Sequence, residues 1–228
     1  NNSIEVIIEK LSTYYNDSII QIRQKAYYLT YKRAIIDANK NLAVSTLLNG
    51  CSDKEGLIVG QNIEYLKNFQ LENFNEQAVK YINSKLSNHR VPHYSGFVQL
   101  AGFVNTGKDI LFQKMLENSI SPKLKWKIAL ALARMGDVEQ LKFCMSKIKE
   151  LPVNDSFVSS LFPDLIYIRQ KESIDYCISV VNSNEKLCNS LNPDLSEKIV
   201  CGFRALEMLA PIIIDAPFVV DESGFLKT

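Results

Sequence analysis

Apolar positions recur with a helical period along most of the chain, and the clearest stretch is 121–150, SPKLKWKIALALARMGDVEQLKFCMSKIKE. Leu124, Ile128, Ala131, Leu132 and Met135 follow the i, i+4, i+7 spacing, and Trp126, Ala129, Leu130 and Ala133 widen the stripe. That pattern predicts a helix covered on most sides. Ser121 is placed to cap its N-terminus, and Pro122 suits the first helical position, where its missing N–H has no partner to lose. Gly136 is expected to end the helix in a left-handed conformation, and Asp137 with Gln140 reads as a capping box for the next helix. The second helix carries Val138, Leu141, Cys144, Met145 and Ile148 on one side, and Leu151 followed by Pro152 ends it.

The rest of the chain reads in the same terms. Ser3 is expected to cap a first helix with Ile4, Ile7, Ile8, Leu11 and Tyr15 on one face, covering the open end of a stack. Ile19, Ile22, Ala26 and Leu29 mark the predicted buried face of the next helix, and Arg33 interrupts that stripe. Leu42, Leu47 and Leu48 precede Gly50, and Ser52 with Glu55 forms a second capping-box candidate ahead of Leu57, Ile63, Leu66 and Phe69. A helix over 156–169 contains Pro163, which predicts a bend in a continuous helix. Asn192 and Pro193 are expected to open a last long helix with Ile199, Phe203, Leu206 and Leu209, ending near Pro211. The β-branched and aromatic runs 212–214 and 218–220, split by Pro217, read as an extended tail.

Laying second helices over one another exposes a repeat. Segments 79–86 (VKYINSKL), 141–148 (LKFCMSKI) and 174–181 (IDYCISVV) are chemically similar and start 62 and 33 residues apart. With one unit in 91–120, whose corner is Thr106, Gly107 and Lys108, the spacing is near 31 to 33 residues. Two helices per unit at this period predict an all-α fold, an α-solenoid in which each pair buries its apolar face on its neighbours. The segment ALARMGDVEQLKFCMSKI resembles the bacterial form of the HEAT repeat, most clearly over 90–210 and more weakly from about 16. The resemblance implies a right-handed superhelix of about five to six helix pairs. The expected organisation is a single domain, with a capping helix at 1–15, repeats over 16–211 and a tail at 212–228. HEAT-type proteins scaffold, bind proteins and occasionally catalyse, so this likeness speaks to architecture and leaves function open.

Composition narrows the classes. With 228 residues and 46% hydrophobic side chains there is material for a sizeable core. Lys and Arg number 26 against 25 Asp and Glu, so no global field favours nucleic acid or an anionic membrane. No run approaches the roughly 20 apolar residues of a membrane span. The sequence opens on Asn1. A removed signal peptide implies a bacterial envelope or periplasmic location, and a trimmed end implies the cytoplasm. Of the 5 cysteines, Cys144 and Cys177 fall on apolar faces. Cys188 and Cys201 flank a turn-rich segment and are able to pair, but the expectation is that they stay reduced and buried.

Candidate chemistry is sparse. His89 and His93 flank Val91 and Pro92, whose proline prevents the helical spacing of a metal pair, so ordinary loop histidines are expected and no metal or cofactor is implied. No phosphate loop, nucleophile elbow or Cys/His signature is present in the sequence. Lys123, Lys125 and Lys127 around Trp126 fan out over more than half a helix, which fits a solvated face better than a nucleic-acid track. The sharpest constellation comes from the repeat register. Phe143 lies about 160° from its helix's apolar stripe, Tyr81 and Tyr176 share its register, and Lys85 and Lys147 project nearly the same way. Either each ring fills the gap between repeats, or the rings with their lysines anchor an extended peptide. The expected function is a non-enzymatic scaffold that binds a protein or peptide along the second-helix surface through Tyr81, Lys85, Phe143, Lys147 and Tyr176. The alternative is an enzyme resembling the HEAT-like alkylpurine DNA glycosylases, against which the near-neutral charge argues.

Overall fold

A computed structural model of the protein describes residues 3–190 and 196–209. Within them the chain is all-α apart from one two-stranded ribbon. The expected tail at 212–228, and Asn192 and Pro193 at the expected start of the last helix, lie outside the described residues. Backbone contacts divide the chain into two compact units, Asn1–Met135 and Gly136–Thr228.

The first unit contains α1 (Ile4–Leu11), α2 (Ile20–Ile35), α3 (Asn41–Gly50), α4 (Gly56–Leu66), α5 (Glu76–Leu86), α6 (Tyr94–Val104), α7 (Lys108–Leu116) and α8 (Pro122–Arg134). Besides sequential neighbours, the helices touch next-but-one partners in an unbroken series: α1 with α3, α2 with α4, α3 with α5, α4 with α6, α5 with α7 and α6 with α8. The core between them is aliphatic and aromatic, with Leu47, Ile58, Ile63, Leu66, Ile82, Leu86, Phe97, Leu100 and Leu111 fully buried. α8 is buried without interruption from Ile128 to Ala133. Its small residues Ala129, Ala131 and Ala133, like Ala101 and Gly102 of α6, add little bulk where these two helices pack.

Several local expectations hold. Ser121 Oγ accepts the Leu124 N–H at 3.3 Å, with Pro122 opening α8. The corner at 106–108 takes the left-handed conformation at Gly107, φ 73°. A Cβ there would also run into the Leu86 side chain, so this position needs glycine twice over.

Other expectations are corrected. Ser3 makes no cap; the Ile4 N–H is taken at 3.0 Å by Asp37 Oδ2, from the end of α2. The Ser52 and Glu55 box does not form either, because Ser52 Oγ bonds Tyr81 Oη at 2.7 Å and Asp53 Oδ1 accepts the Glu55 N–H at 2.9 Å. Most informative is α2. Its predicted face of Ile19, Ile22, Ala26 and Leu29 is turned, since Ile19 is 52% and Leu29 40% exposed, and the residues inside are Arg23, Ala26, Tyr27, Thr30 and Ala34. The cause is a buried ion pair. Arg23 Nε and Nη2 meet Asp53 Oδ2 and Oδ1 at 2.8 and 3.0 Å, and Nη1 donates to the Asp17 carbonyl at 2.8 Å. With both carboxylate oxygens and a carbonyl satisfied, the guanidinium is affordable inside.

The second unit contains α9 (Val138–Lys149), α10 (Asp155–Ser160), α11 (Phe162–Ile168), α12 (Lys171–Val181), β1 (Cys188–Asn189), β2 (Lys198–Ile199) and α13 (Cys201–Leu209). Asp137 caps α9 by accepting the Gln140 N–H at 3.0 Å, and Gly136 has φ 83°, the left-handed conformation expected of it. Gln140 does not complete the box, because its Oε1 is buried without a partner. The single bent helix expected over 156–169 is two helices, α10 and α11, separated at Leu161, with Pro163 in the first turn of α11. Proline lacks the N–H that a continuing helix needs and is at home in a first turn, so the chain restarts there.

The largest departure follows α12. The long helix expected from Asn192 is replaced, among the described residues, by β2 pairing antiparallel with β1 and by the shorter α13. Cys188 and Cys201, expected to be reduced, form a disulfide with Cα atoms 5.0 Å apart. It sits in a small apolar cluster with Val158, against which Val153, Ile199 and Met208 pack. Phe203, expected on a buried stripe, is 60% exposed, and the buried residues of α13 are Cys201, Gly202 and Ala205. Gly202 lies so close to the Val181 carbonyl that no Cβ fits between them, which brings α13 against the end of α12.

Candidate functional site

The three free thiols and the two histidines are packed or paired. The thiols of Cys51, Cys144 and Cys177 are buried, and burial pushes their pKa values up to about 12, 12 and 11. They are therefore protonated and unreactive at neutral pH. His93 occupies the left-handed position before α6, φ 56°, with its ring against Gly56 and Gly60 of α4. His89 Nδ1 lies 3.5 Å from Glu117 Oε2, with its ring edge-on to Tyr94. Among the described residues no group of three or more His, Cys, Asp or Glu side chains gathers as a metal site. Also among them, no helix is long and apolar enough to cross a membrane. On α8, Trp126 is partly buried, Lys123 exposed, and Lys125 and Lys127 partly covered.

Each aromatic of the repeat register is placed within its own unit. Tyr81 on α5 is half-buried, tilted against Phe97 with ring centroids 6.4 Å apart, and its hydroxyl is bonded to Ser52. Lys85 Nζ lies 4.9 Å above its ring, so this predicted pair does come together. Burial pushes the Tyr81 hydroxyl up to about 12, with the Ser52 bond acting the other way. In the second unit Phe143 on α9 is 45% exposed. Lys147 turns to Glu150, at 3.0 Å. Tyr176 on α12 is half-buried, edge-on to Phe157 at 6.2 Å, and the cation over its ring is Lys149, at 5.6 Å.

A cluster that the apolar pattern did not reveal lies on α2 and α4. Gln21, Gln24, Lys25 and Tyr28 of α2, with Gln61 and Tyr65 of α4, line an open groove of about 250 Å³. Two of its lining amides are bridged, Gln24 Nε2 donating to Gln61 Oε1 at 2.9 Å. Its wall is aromatic: Tyr65 stacks on Tyr31 with centroids 4.4 Å apart and planes 8° from parallel, and it meets Tyr28 at 6.5 Å. The Tyr28 ring is flanked by two cations, Lys25 Nζ at 4.8 Å and Lys32 Nζ at 5.8 Å. These are three and four residues away on one helix, the spacing that sets side chains side by side. The signal in the sequence was the run KAYYLTYK at 25–32, in which the apolar stripe drew attention to Ala26 and Leu29. Tyr65, the ring that completes the wall, is 34 residues beyond Tyr31, so only the packing of α2 on α4 brings it there.

The groove offers flat tyrosine faces, side-chain amides and flanking ammonium groups. They can stack, donate, accept and attract anions. No protein-family model matches the chain, and neither a curated protein nor a solved structure matches it.

Proposed function

We propose that the protein is a non-enzymatic helical-repeat scaffold of the HEAT-like α-solenoid kind, a right-handed superhelix, that binds another protein or a peptide. The α2–α4 groove carries this reading: rings, amides and cations converge on one exposed concavity whose chemistry recognises rather than transforms. The repeat architecture is supported by the 31- to 33-residue register of second helices and by the next-but-one helix contacts of the first unit, the pattern of pairs that bury their faces on neighbouring repeats. The groove lies on α2 and α4, which the repeat register reads as first helices, whereas Tyr81 lies on α5, which it reads as a second helix. The Cys188–Cys201 bond supports work in an oxidising compartment such as a cell envelope.

A photo-reactive residue in place of Gln21, activated in the cells that make the protein, tests the proposal. A discrete covalent adduct with a protein is expected, and Tyr65→Ala should lower its yield. Turnover of a substrate that depends on side chains of this chain would overturn the non-enzymatic reading.

A further inference from the structure

We infer that the α2–α4 groove takes an acidic, extended segment of its partner, with carboxylates three residues apart; this rests on the partner-binding reading above and names the chemistry of the ligand. Lys25 and Lys32 are exposed on α2, and among the described residues both meet the Tyr28 ring and neither pairs with a carboxylate. Several other lysines are matched to acids, among them Lys67 with Glu64 at 2.6 Å, Lys114 with Glu117 at 2.7 Å and Lys147 with Glu150 at 3.0 Å. The first of these matters here, because Glu64 is the acid next to Tyr65 and it is engaged by Lys67. Two cations beside one groove, with the nearest acid of α4 neutralised, form a local positive site that a partner must complement.

The other features select the kind of anion. Lys25 and Lys32 are seven residues apart, so they are separated by roughly 10 Å along the axis of α2. A polyproline-type extended peptide rises about 3.1 Å per residue with three residues per turn, so side chains at i and i+3 lie on one side about 9 Å apart. The amide bridge leaves Gln24 Oε1 as an acceptor and the Gln61 amide N–H groups as donors, the complement of a peptide bond. Tyr28 and Tyr65 offer flat, stiff faces to the segment's intervening side chains or prolines. The groove, about 250 Å³ and open, is below the usual size of a pocket that encloses a small molecule. Nucleic acid is disfavoured because its affinity comes from neutralising many phosphates, and the net charge is +1.

The test uses the full chain and two fluorescein-labelled twelve-residue peptides, one with Glu at every third position among Pro and Tyr, the other with Lys in place of each Glu. Anisotropy should show the acidic peptide binding at least tenfold more tightly than the lysine peptide and weakening as salt rises. Lys25→Glu with Lys32→Glu should reverse the preference while lowering the thermal midpoint only slightly, since both side chains are exposed and lose only their contacts with the Tyr28 ring. Tyr65→Ala should weaken binding by about tenfold. Equal binding of both peptides, or an affinity unchanged by charge reversal, overturns the inference. A single-stranded oligonucleotide that binds more tightly than the acidic peptide, with the same sensitivity to charge reversal, overturns it in favour of nucleic acid. If the acidic peptide fails while the Gln21 photo-adduct persists, the acidic chemistry falls and partner binding stands; if both fail, both fall.

Discussion

Removing the Cys188–Cys201 bond should loosen one part of the second unit far more than anything else in the chain. The bond closes a loop between residues 13 apart, and a cross-link over a loop of this length withholds roughly 3 kcal/mol of entropy from the unfolded chain. Little else replaces it. β1 and β2 are two residues each, too short to stand as a ribbon, and α13 buries only Cys201, Gly202 and Ala205. Among the described residues the polar ties include Asp155, which accepts the Asn189 N–H at 3.0 Å at the surface and meets Arg204 at 3.4 Å in a part-buried contact, and Arg204 Nη1, which also donates to the Asn189 carbonyl at 3.4 Å. In the variant Cys188→Ala with Cys201→Ala, a loss of about 3 kcal/mol raises the opening equilibrium of this segment by roughly 150-fold. Hydrogen exchange followed by mass spectrometry should show that acceleration in 188–189 and 201–209, with α4 and α6 of the first unit unchanged. A thiol count on denatured protein fixes the premise: three thiols before reduction, from Cys51, Cys144 and Cys177, and all 5 after it. Five thiols before reduction, or unchanged exchange in α13, would refute the reasoning.

Other consequences can be checked as directly. Burial raises the Asp53 carboxyl, but its bonds from Arg23 and the Glu55 N–H prevail and hold it below the ordinary carboxylate value. A depressed folded pKa contributes stability that is present above the unfolded value of about 3.9 and lost as pH falls through the folded one. Asp53→Asn should therefore lower the urea midpoint of the first unit at pH 7, and the gap from the natural protein should close below about pH 4. Gly50 is packed so closely on Asn62 that an added Cβ would lie 2.6–2.8 Å from its amide. Gly50→Ala should cost about 1–3 kcal/mol, and Asn62→Ala in the same chain should relieve part of that steric cost. Phe143→Ala, at an exposed ring, should change the thermal midpoint little. Tyr176→Ala removes a ring packed on Phe157 and should cost about 2 kcal/mol or more; a loss of photo-adduct in Phe143→Ala with its midpoint intact would place partner contacts on the second helices as well.

The sequence by itself determined what depends on neighbours a few residues away. α8 and α9 begin and end where their caps, Pro122 and Gly136 put them, because capping and left-handed turns are satisfied within one turn of chain. The all-α class followed from the same local periodicity. Which side of a helix faces inward was a different matter. On α2 the apolar count pointed to Ile19 and Leu29, but Asp53, 30 residues beyond Arg23, supplied a partner that made a guanidinium the residue to bury. The cap of α1 came likewise from Asp37 and not from Ser3. Cys188 and Cys201 were expected to stay reduced, and their bond required β1, β2 and α13 to fold back on Val158. The α2–α4 groove needed Tyr65 brought against Tyr28 and Tyr31. Periodicity records how often a side chain comes round to the same face; only long-range packing decides what waits for it there.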